Sequence, residues 1–338
     1  MRRPRAWRVK RLAQYGALAL SVCIIAYAAL FLVPPRAGGA VIGVHFSKQH
    51  AVSLGLDWQE TYRALLDDLS VRRVRLSANW PDVEPQPGTF DFRDLDWMMD
   101  EANTRGASVL LAVGRRLPRW PECHIPDWAT QLPDAEQQEA IERVIRVVVE
   151  RYRAHPALVM WQVENEPFLS VFGECPELDV ASLQREVEIV RALDPHHDIL
   201  ITDSGELSFW HRAARVGDRL GTTMYRVVWS RFVGYWSYDT FIPAAWYRLK
   251  AFLVGVSPEH MVISELQAEP WAPHGDVTVL PIVEQRRSMD AERFLRNVAF
   301  ARSTGFREIY LWGAEYWYWL RAHGDASMWE TARGVLKE

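Results

Sequence analysis

Short apolar runs alternate with amphipathic stretches along most of this sequence, from Val41 to the carboxyl terminus. Such runs are typical of buried strands, and the stretches between them place apolar residues at helical spacing. The predicted strands begin at Val41, Arg72, Ser108, Leu158, Ile199, Thr222, Met261 and Glu308. Helices are predicted most clearly over residues 58–69, 135–154, 290–305 and 327–335. Eight consecutive strand–helix units predict one (β/α)8 TIM barrel over residues 41–338.

An open, doubly wound sheet is the alternative α/β fold for this pattern. That fold usually carries a glycine-rich phosphate-binding turn directly after its first strand. Here the first strand is followed by SKQHAVSLG, which lacks the glycine spacing of such a turn. The pattern therefore favours the closed barrel.

The amino-terminal pattern is different, because residues 16–33 form an apolar run of 18 residues without a charge. A membrane-spanning helix needs roughly 17 to 25 such residues. Six basic residues precede the run, and only Arg36 follows it closely. The positive-inside rule then predicts that the amino terminus is cytoplasmic and the barrel lies outside. The predicted segments are a basic tail (1–15), a transmembrane anchor (16–34) and a linker (35–40).

A cleaved signal peptide remains the alternative, with AGGA at residues 37–40 as its processing site. The apolar region of a signal peptide is usually about 7 to 15 residues long, so the length of this run favours an uncleaved anchor. A basic tail is also typical of nucleic-acid binding, but the adjoining apolar run points to a membrane, and we expect no nucleic-acid partner. We predict a single-pass cell-membrane protein, or a secreted one if the segment is cleaved.

The composition is globular, with 49% hydrophobic and 24% charged residues, and it includes 16 tryptophans. Tryptophan in such excess is typical of surfaces that bind flat, weakly polar ligands such as sugar rings, and equally of a tryptophan-rich core. Composition alone leaves both interpretations open.

Polar residues end two of the predicted strands. Asn165 and Glu166 end the fourth strand, and Glu265 ends the seventh. The carboxyl ends of the strands form the active face of a (β/α)8 barrel, so these two carboxyl groups face each other across its mouth. Two carboxylates that flank one bond are what glycosidic-bond hydrolysis requires. A pair of structural, salt-bridged carboxylates is the alternative.

Three segments resemble clan A of the glycoside hydrolases, the retaining (β/α)8 enzymes. They are Asn-Glu-Pro at residues 165–167 with a glutamate about 100 residues later, RVRLSANWPDVEPQPGTFDFRDLDWMMDEA at residues 73–102, and LWGAEYW at residues 311–317. The second segment is similar to β-galactosidase-like and cellulase-like members, with their Trp-x-x-x-Glu-Pro-x-x-Gly-x-x-Phe pattern. The resemblance covers the whole predicted barrel in sequence order, and these three segments are its specific part.

The resemblance implies a role for each matching residue. Glu166 is expected to be the general acid/base and Glu265 the nucleophile. Asn165 is expected to bind the 2-hydroxyl of the sugar, Arg75 to keep the nucleophile ionised, and Tyr225 to hydrogen-bond with it. Such enzymes hold the two carboxyl groups about 5 to 5.5 Å apart, which implies retention through a glycosyl–enzyme intermediate. We expect the charge of Glu265 to raise the pKa of Glu166.

Three tryptophans are candidate sugar platforms. The resemblance places Trp312 at the floor of the sugar site. Trp80 and Trp120 follow the second and third strands and are the next candidates. Packing in the core or in loops is the alternative for each of them.

Two of the three cysteines, Cys123 and Cys175, follow the third and fourth strands, while Cys23 lies in the apolar run. Neighbouring strands bring their loops together on the active face, and disulfides are permitted outside the cytoplasm. We therefore predict a Cys123–Cys175 disulfide that braces the loop after the fourth strand.

The leading hypothesis is a membrane-anchored, monomeric, retaining β-glycosidase that acts on an extracytoplasmic oligo- or polysaccharide without metal or cofactor. A transglycosylase that uses the same residues and a non-catalytic glycan-binding barrel are the alternatives. Glu164 departs from the apolar residue common at this position in the clan, and we expect it to form a salt bridge or hydrogen bond beneath the site. The aromatic segment at residues 226–255 is expected to cap the site or rest on the membrane.

Overall fold

A computed structural model describes residues 5–36, 38–175, 178–273 and 275–337. The strands in this part of the chain are β1 (Val41–His45), β2 (Arg73–Ser77), β3 (Ser108–Val113), β4 (Leu158–Val163), β5 (Asp198–Asp203), β6 (Arg219–Met224), β7 (Val227–Ser230), β8 (Gly234–Ser237), β9 (Met261–Gln267) and β10 (Glu308–Trp312). The α-helices are α1 (Arg5–Ala29), α2 (Lys48–Ser53), α3 (Trp58–Asp67), α4 (Trp80–Val83), α5 (Arg93–Thr104), α6 (Asp134–Tyr152), α7 (Val180–Leu193), α8 (Ala244–Leu253), α9 (Ile282–Gln285), α10 (Ala291–Ser303), α11 (Ala314–Ala322) and α12 (Ser327–Lys337).

Eight parallel strands close into a barrel in the order β1-β10-β9-β6-β5-β4-β3-β2. Each predicted strand corresponds to one of these, so the predicted (β/α)8 fold is confirmed. The hairpin of β7 and β8 was not predicted. It is an antiparallel insertion after β6, and it accounts for the first part of the aromatic segment 226–255.

Three of the barrel helices begin at a capping aspartate. The carboxylate of Asp57 accepts hydrogen bonds from the amides of Gln59 and Glu60 at the start of α3, and Asp179 and Asp290 cap α7 and α10 in the same way. Such caps satisfy amide groups that have no partner within the helix. The apolar side of each helix then packs on the outside of the barrel.

The barrel interior is built in layers. Five side chains fill its centre, one from each of five strands: Leu110, Met160, Leu200, Val262 and Tyr310. Side chains two residues apart on a strand face the same way, so the next layer towards the carboxyl ends comes from the residues two positions later. That layer includes Gln162, Thr202, Ser264 and Trp312. The floor of the candidate site is therefore mostly polar, above an apolar plug.

The predicted tail and anchor form one continuous helix, because α1 starts at Arg5, inside the tail. Among the described residues, one helical segment is long and apolar enough to cross a membrane, Gln14–Leu32, with a mean hydropathy of 2.2. A signal sequence has the same properties. The first four residues of the predicted tail, and Ala37 of the candidate processing site, lie outside the described residues.

Candidate active site

The end of β4 differs from the predicted strand. The strand stops at Val163, and the backbone of Glu164 and Glu166 has positive φ angles of 59° and 43°. Non-glycine residues rarely adopt this conformation, and it often marks a functional site. The regular alternation of side chains ends here, so Glu164 and Glu166 do not share a direction.

Glu164 fastens the loop after β3. Its two carboxylate oxygens accept hydrogen bonds from the amides of Arg115 and Arg116, each at 2.7 Å. Gly114 makes room for it, since a Cβ there would lie 2.4 Å from the Oε1 atom of Glu164. The predicted hydrogen-bonding role is therefore observed, and the partners are backbone groups of the neighbouring loop. The carbonyl of Arg116 in turn accepts a hydrogen bond from the amide of Asn165 at 2.7 Å.

Arg75, Asn165, Tyr225 and Glu265 lie together at the barrel mouth. The guanidinium of Arg75 donates to Oε1 of Glu265 at 3.0 Å and to Oδ1 of Asn165 at 2.9 Å. The hydroxyl of Tyr225 donates to the other oxygen of Glu265, Oε2, at 2.9 Å. A β-bulge around Ser264 shifts the pairing of β9 with both neighbours, and bulges of this kind re-aim side chains.

Gln162 and Thr202 belong to the same network and were missed. Gln162 accepts from Nε of Arg75 at 2.8 Å, and its amide group donates to Oδ1 of Asn165 at 3.2 Å. The hydroxyl of Thr202 also reaches that oxygen, at 3.3 Å. Their polar side chains in strands that are otherwise apolar were the available signal.

Glu166 lies in a buried and negatively charged environment. Its Oε1 accepts a hydrogen bond from Thr223 at 3.1 Å, and its amide donates to Thr202 at 2.9 Å. Burial raises the pKa of Glu166 well above its ordinary value, and the negative charge of Glu265 raises it further. The direction agrees with the expectation, although burial is the larger cause. The raised pKa favours the protonated form of this carboxyl group.

Glu122, a third carboxylate near the pair, was not predicted. It is buried in the loop after β3 and lies 2.9 Å from the guanidinium of Arg116. Burial raises the pKa of Glu122 to about 7, against the opposing charge of Arg116. The negative charge of Glu122 also adds to the raised pKa of Glu166. No motif in the sequence distinguishes Glu122 from other loop glutamates.

Trp312 ends β10 at the barrel mouth, but its ring is largely covered. Its exposed fraction is 7%. The guanidinium carbon of Arg119 lies 4.0 Å from the ring centroid, and the imidazole of His45 stacks on the ring at 4.6 Å. His45 is buried and, among the described residues, neither of its nitrogens has a hydrogen-bond partner. Burial and the positive charge of Arg75 lower the pKa of His45, so its imidazole is neutral.

The other two predicted platforms have different surroundings. Trp80 is fully buried and donates to Glu84 at 2.8 Å, so it is a core residue and its prediction as a platform is wrong. The reason is that Trp80 starts α4, which turns the ring inward. Trp120, by contrast, is 61% exposed on the active face.

An aromatic row, defined by Tyr225, Trp271, Phe172 and Trp120, leads from Glu265 to the rim. Consecutive ring centroids along it are 5.5, 5.9 and 6.0 Å apart. Trp271 follows β9 and Phe172 follows β4, and neither was predicted. Rings arranged in this way offer flat apolar surfaces beside the carboxylates.

The predicted Cys123–Cys175 disulfide is present, with its Cα atoms 5.2 Å apart. It joins the loops after β3 and β4. The amide of Glu174 donates to the carbonyl of Pro121 beside it, at 2.9 Å. The disulfide therefore braces the segment that carries Phe172 and Trp120.

Among the described residues, one group has the spacing of metal ligands: His50, Glu269 and Glu315. Both carboxylates already form ion pairs with the guanidinium of Arg119. This positive charge lowers the pKa of Glu269 to about 2, against the effect of burial. Arg119 supplies the countercharge that a metal ion would otherwise provide.

The sequence profile of the glycosyl hydrolases family 2 TIM barrel domain matches residues 55–226. Two relatives with similar sequences are β-galactosidase LacZ of Heyndrickxia coagulans, 31% identical over 127 residues, and β-galactosidase BgaB of a Geobacillus strain, 30% identical over 129 residues. Each alignment covers 32% of this chain and 19% of the relative, so the matched region is about a fifth of the relative's length.

Similar folds occur in solved structures. The β-galactosidase of the psychrophilic Marinomonas ef1 superposes with a TM-score of 0.57 and 15% identity, over 88% of this chain and 59% of that one. A GH5_18 structure from Streptomyces cattleya with GlcNAc gives a TM-score of 0.55 and 15% identity, over 82% and 71% of the two chains. These likenesses concern the barrel fold. The matched profile covers half of the chain and contains Arg75, Asn165, Glu166 and Tyr225, and this chain belongs to the glycosyl hydrolase family 2 TIM-barrel family.

Proposed function

We propose that this protein is a membrane-anchored retaining β-glycosidase in which Glu265 is the nucleophile and Glu166 the acid/base. The observation that carries the proposal is the contrast between the two carboxyl groups. Glu265 accepts hydrogen bonds from the guanidinium of Arg75 and the hydroxyl of Tyr225, which hold its carboxylate at the barrel mouth. Burial and the negative charge of Glu265 raise the pKa of Glu166, which favours the protonated form that a proton donor needs. Two carboxyl groups with separated roles are what glycoside hydrolysis uses.

The reaction then proceeds in two displacements. The Glu265 carboxylate attacks the anomeric carbon and forms a glycosyl ester, while Glu166 gives its proton to the departing oxygen. Glu166, now ionised, takes a proton from water, and that water attacks the anomeric carbon and releases Glu265. Asn165 has its Oδ1 engaged by Arg75, which leaves the amide nitrogen to contact the 2-hydroxyl of the sugar.

The sugar platforms follow from the aromatic row and the barrel floor. The small part of Trp312 that stays exposed beside Arg119 and His45 would bound the reacting sugar. Trp271 and Trp120 would support the leaving group on its way to the rim. The names of the relatives make β-galactosides the first substrates to test.

We also propose that the protein is anchored in the cell membrane with its barrel outside. The apolar segment Gln14–Leu32 would anchor a monomeric protein, and the preceding basic residues would keep the amino terminus in the cytoplasm. Protease added to intact cells should then digest the barrel. Protection of the residues after Val41 would reverse this orientation.

A 2-deoxy-2-fluoro glycoside with a good leaving group tests the mechanism. The expected result is a covalent adduct on Glu265, found by mass spectrometry of the digested protein. The Glu265→Gln variant is the matched control and should form none. Glu166→Ala should lose natural substrates yet recover partly with azide. Sugar binding without an adduct across a panel of glycosides would favour the non-catalytic alternative.

A further inference from the structure

The path of the chain from α1 into the barrel runs from one face of the barrel to the other. At its start, the ring of Tyr27 packs on Trp246 in the first turn of α8, with centroids 5.6 Å apart, and its hydroxyl bonds to the carbonyl of Phe241. Phe241 lies between β8 and α8, on the active face. Further along, Arg36 donates to the carbonyl of Ser303, which precedes β10 at the opposite face, at 3.1 Å.

The direction of α1 follows from these contacts. Residues 27 to 36 run from the active face of the barrel to the opposite face. The residues of α1 before Tyr27 therefore project away from the barrel, beyond its active face. A bilayer that contains α1 therefore lies on the active-face side of the barrel. The 19 residues of Gln14–Leu32 rise about 28 Å, which matches a hydrocarbon core of about 30 Å.

The same contacts show how deep in the bilayer the loop with Thr240 and Phe241 would lie. Tyr27 lies five residues before Leu32, about 7 Å inside the apolar span. A cavity beside Thr240 is lined by Tyr27 and, deeper in the span, by Cys23 and Ile24. The loop with Thr240 and Phe241 thus meets α1 at the level where interfacial segments enter the acyl boundary, about 5 to 10 Å deep.

Exposed apolar side chains are concentrated on the same face. Outside residues 5–33, most of the large exposed hydrophobic residues lie in segments that follow barrel strands, among them Trp120, Val171, Phe209, Phe232, Val279 and Val283. A few lie elsewhere: Val41, Phe252, Leu253 and Leu295. An apolar rim of this extent marks an interaction surface, and aromatic rings favour the membrane–water interface.

We propose that the active face is turned towards the bilayer and that the substrate is a saccharide attached to a membrane lipid. This rests on the glycosidase function and the anchor proposed above. The bond cleaved joins the anomeric carbon to the lipid oxygen. Glu166 gives its proton to that oxygen, the lipid alcohol leaves, and water releases the sugar from Glu265. The aromatic row from Tyr225 to Trp120 provides an apolar path from the carboxylates to the membrane.

Two exposed phenylalanines form a matched pair that tests the orientation. Phe232 is 80% exposed in the hairpin turn of the active face, and Phe252 is 78% exposed near the end of α8 that leads to the opposite face. Phe232→Cys and Phe252→Cys are made separately in a full-length Cys23→Ser background and labelled with NBD. They are then placed in phosphatidylcholine–phosphatidylglycerol vesicles with brominated acyl chains. Quenching at position 232 and not at 252 is expected, and equal or reversed quenching overturns the orientation.

A rate comparison tests the substrate class. Full-length protein in the same vesicles is given a β-hexosyl diacylglycerol or the corresponding soluble β-hexosyl glycerol. Confinement to one surface raises the effective concentration, so the lipid-borne sugar should react on the order of tenfold faster. Phe232→Ser should reduce this preference, and Phe252→Ser should not. Equal rates on the two substrates, or a preference for soluble glycans, overturn the substrate class.

The fluorinated-glycoside adduct separates the two proposals. It is measured with soluble reagent in detergent, so it needs neither a bilayer nor a particular orientation. A missing adduct with quenching at position 232 rejects the glycosidase and retains the orientation. An adduct without quenching at position 232 retains the glycosidase and rejects the orientation.

Discussion

The guanidinium of Arg75 lies 3.0 Å from Oε1 of Glu265, and both side chains are buried at the mouth of the barrel. The pair connects β2 to β9 across the site. Attraction between two buried charges is strong, and removing one partner leaves the other uncompensated. This pair therefore links the stability of the barrel to the proposed nucleophile.

Replacing Arg75 with methionine should lower the free energy of unfolding by about 3 to 5 kcal/mol, because Glu265 would remain buried without a countercharge. Urea unfolding monitored by circular dichroism measures the change. The exposed pair of Arg191 and Asp218, 2.9 Å apart, provides the control. Arg191→Met should cost less than about 1 kcal/mol. Equal losses in the two variants would contradict the assigned role of Arg75.

Replacing Tyr225 with phenylalanine should slow glycoside turnover by about ten- to a hundredfold, since a hydrogen bond to a charged group contributes about 1.5 to 3 kcal/mol. The ring and its contact with Trp271 are retained. Tyr318→Phe removes a comparable hydroxyl that bonds to Glu60 on the outer surface, and it should leave the rate unchanged. A Tyr225→Phe variant with the parent kcat would place the hydroxyl outside the mechanism.

The raised pKa of Glu166 predicts a dependence of stability on pH. Above pH of about 4.3 the unfolded chain loses this proton, while the folded protein keeps it up to its raised pKa, and this difference lowers the free energy of unfolding. Below that pH both states are protonated, and the effect disappears. Glu166→Gln should therefore unfold at a higher urea concentration than the parent near pH 7, with a difference that shrinks towards pH 4. Glu188→Gln, on the exposed side of α7, is the control for the substitution itself.

Replacing Glu164 with glutamine should destabilise the protein by about 1 to 3 kcal/mol. One of its two oxygens becomes an amide donor, which leaves the amide of Arg115 or Arg116 without an acceptor. The loop after β3 also holds Asn165, so kcat should fall as well. Urea unfolding and steady-state kinetics measure both effects. A stable variant with reduced turnover would instead assign Glu164 a direct chemical role.

The two cysteines of the Cys123–Cys175 disulfide are 52 residues apart in sequence. Loss of this disulfide should lower the free energy of unfolding by about 2 to 4 kcal/mol. Replacing both residues with serine, or adding reductant to the parent protein, should give the same shift in the urea midpoint. Cys23→Ser, at the exposed free cysteine, is the control and should leave the midpoint unchanged. A midpoint insensitive to reductant would show that the two loops are held by other contacts.

The sequence by itself determined the barrel and the principal chemical groups. Strand periodicity and strand-end position are local properties, so eight strands and the placement of Asn165, Glu166 and Glu265 could be read from the order of residues. Arg75 and Tyr225 were reached through the resemblance to known glycosidases. The disulfide followed from the adjacency of two loops in the predicted fold.

The tertiary structure decided what depends on contacts between distant segments. The turn at Glu164 and Glu166 depends on the loop after β3, and the coverage of Trp312 depends on Arg119 and His45, far from it in sequence. Trp80 and Trp120 are both tryptophans after strands, yet one is buried and the other exposed because α4 turns the first inward. The direction of α1 is likewise a matter of packing, since hydropathy gives the length of a span and does not indicate which face of the barrel it adjoins.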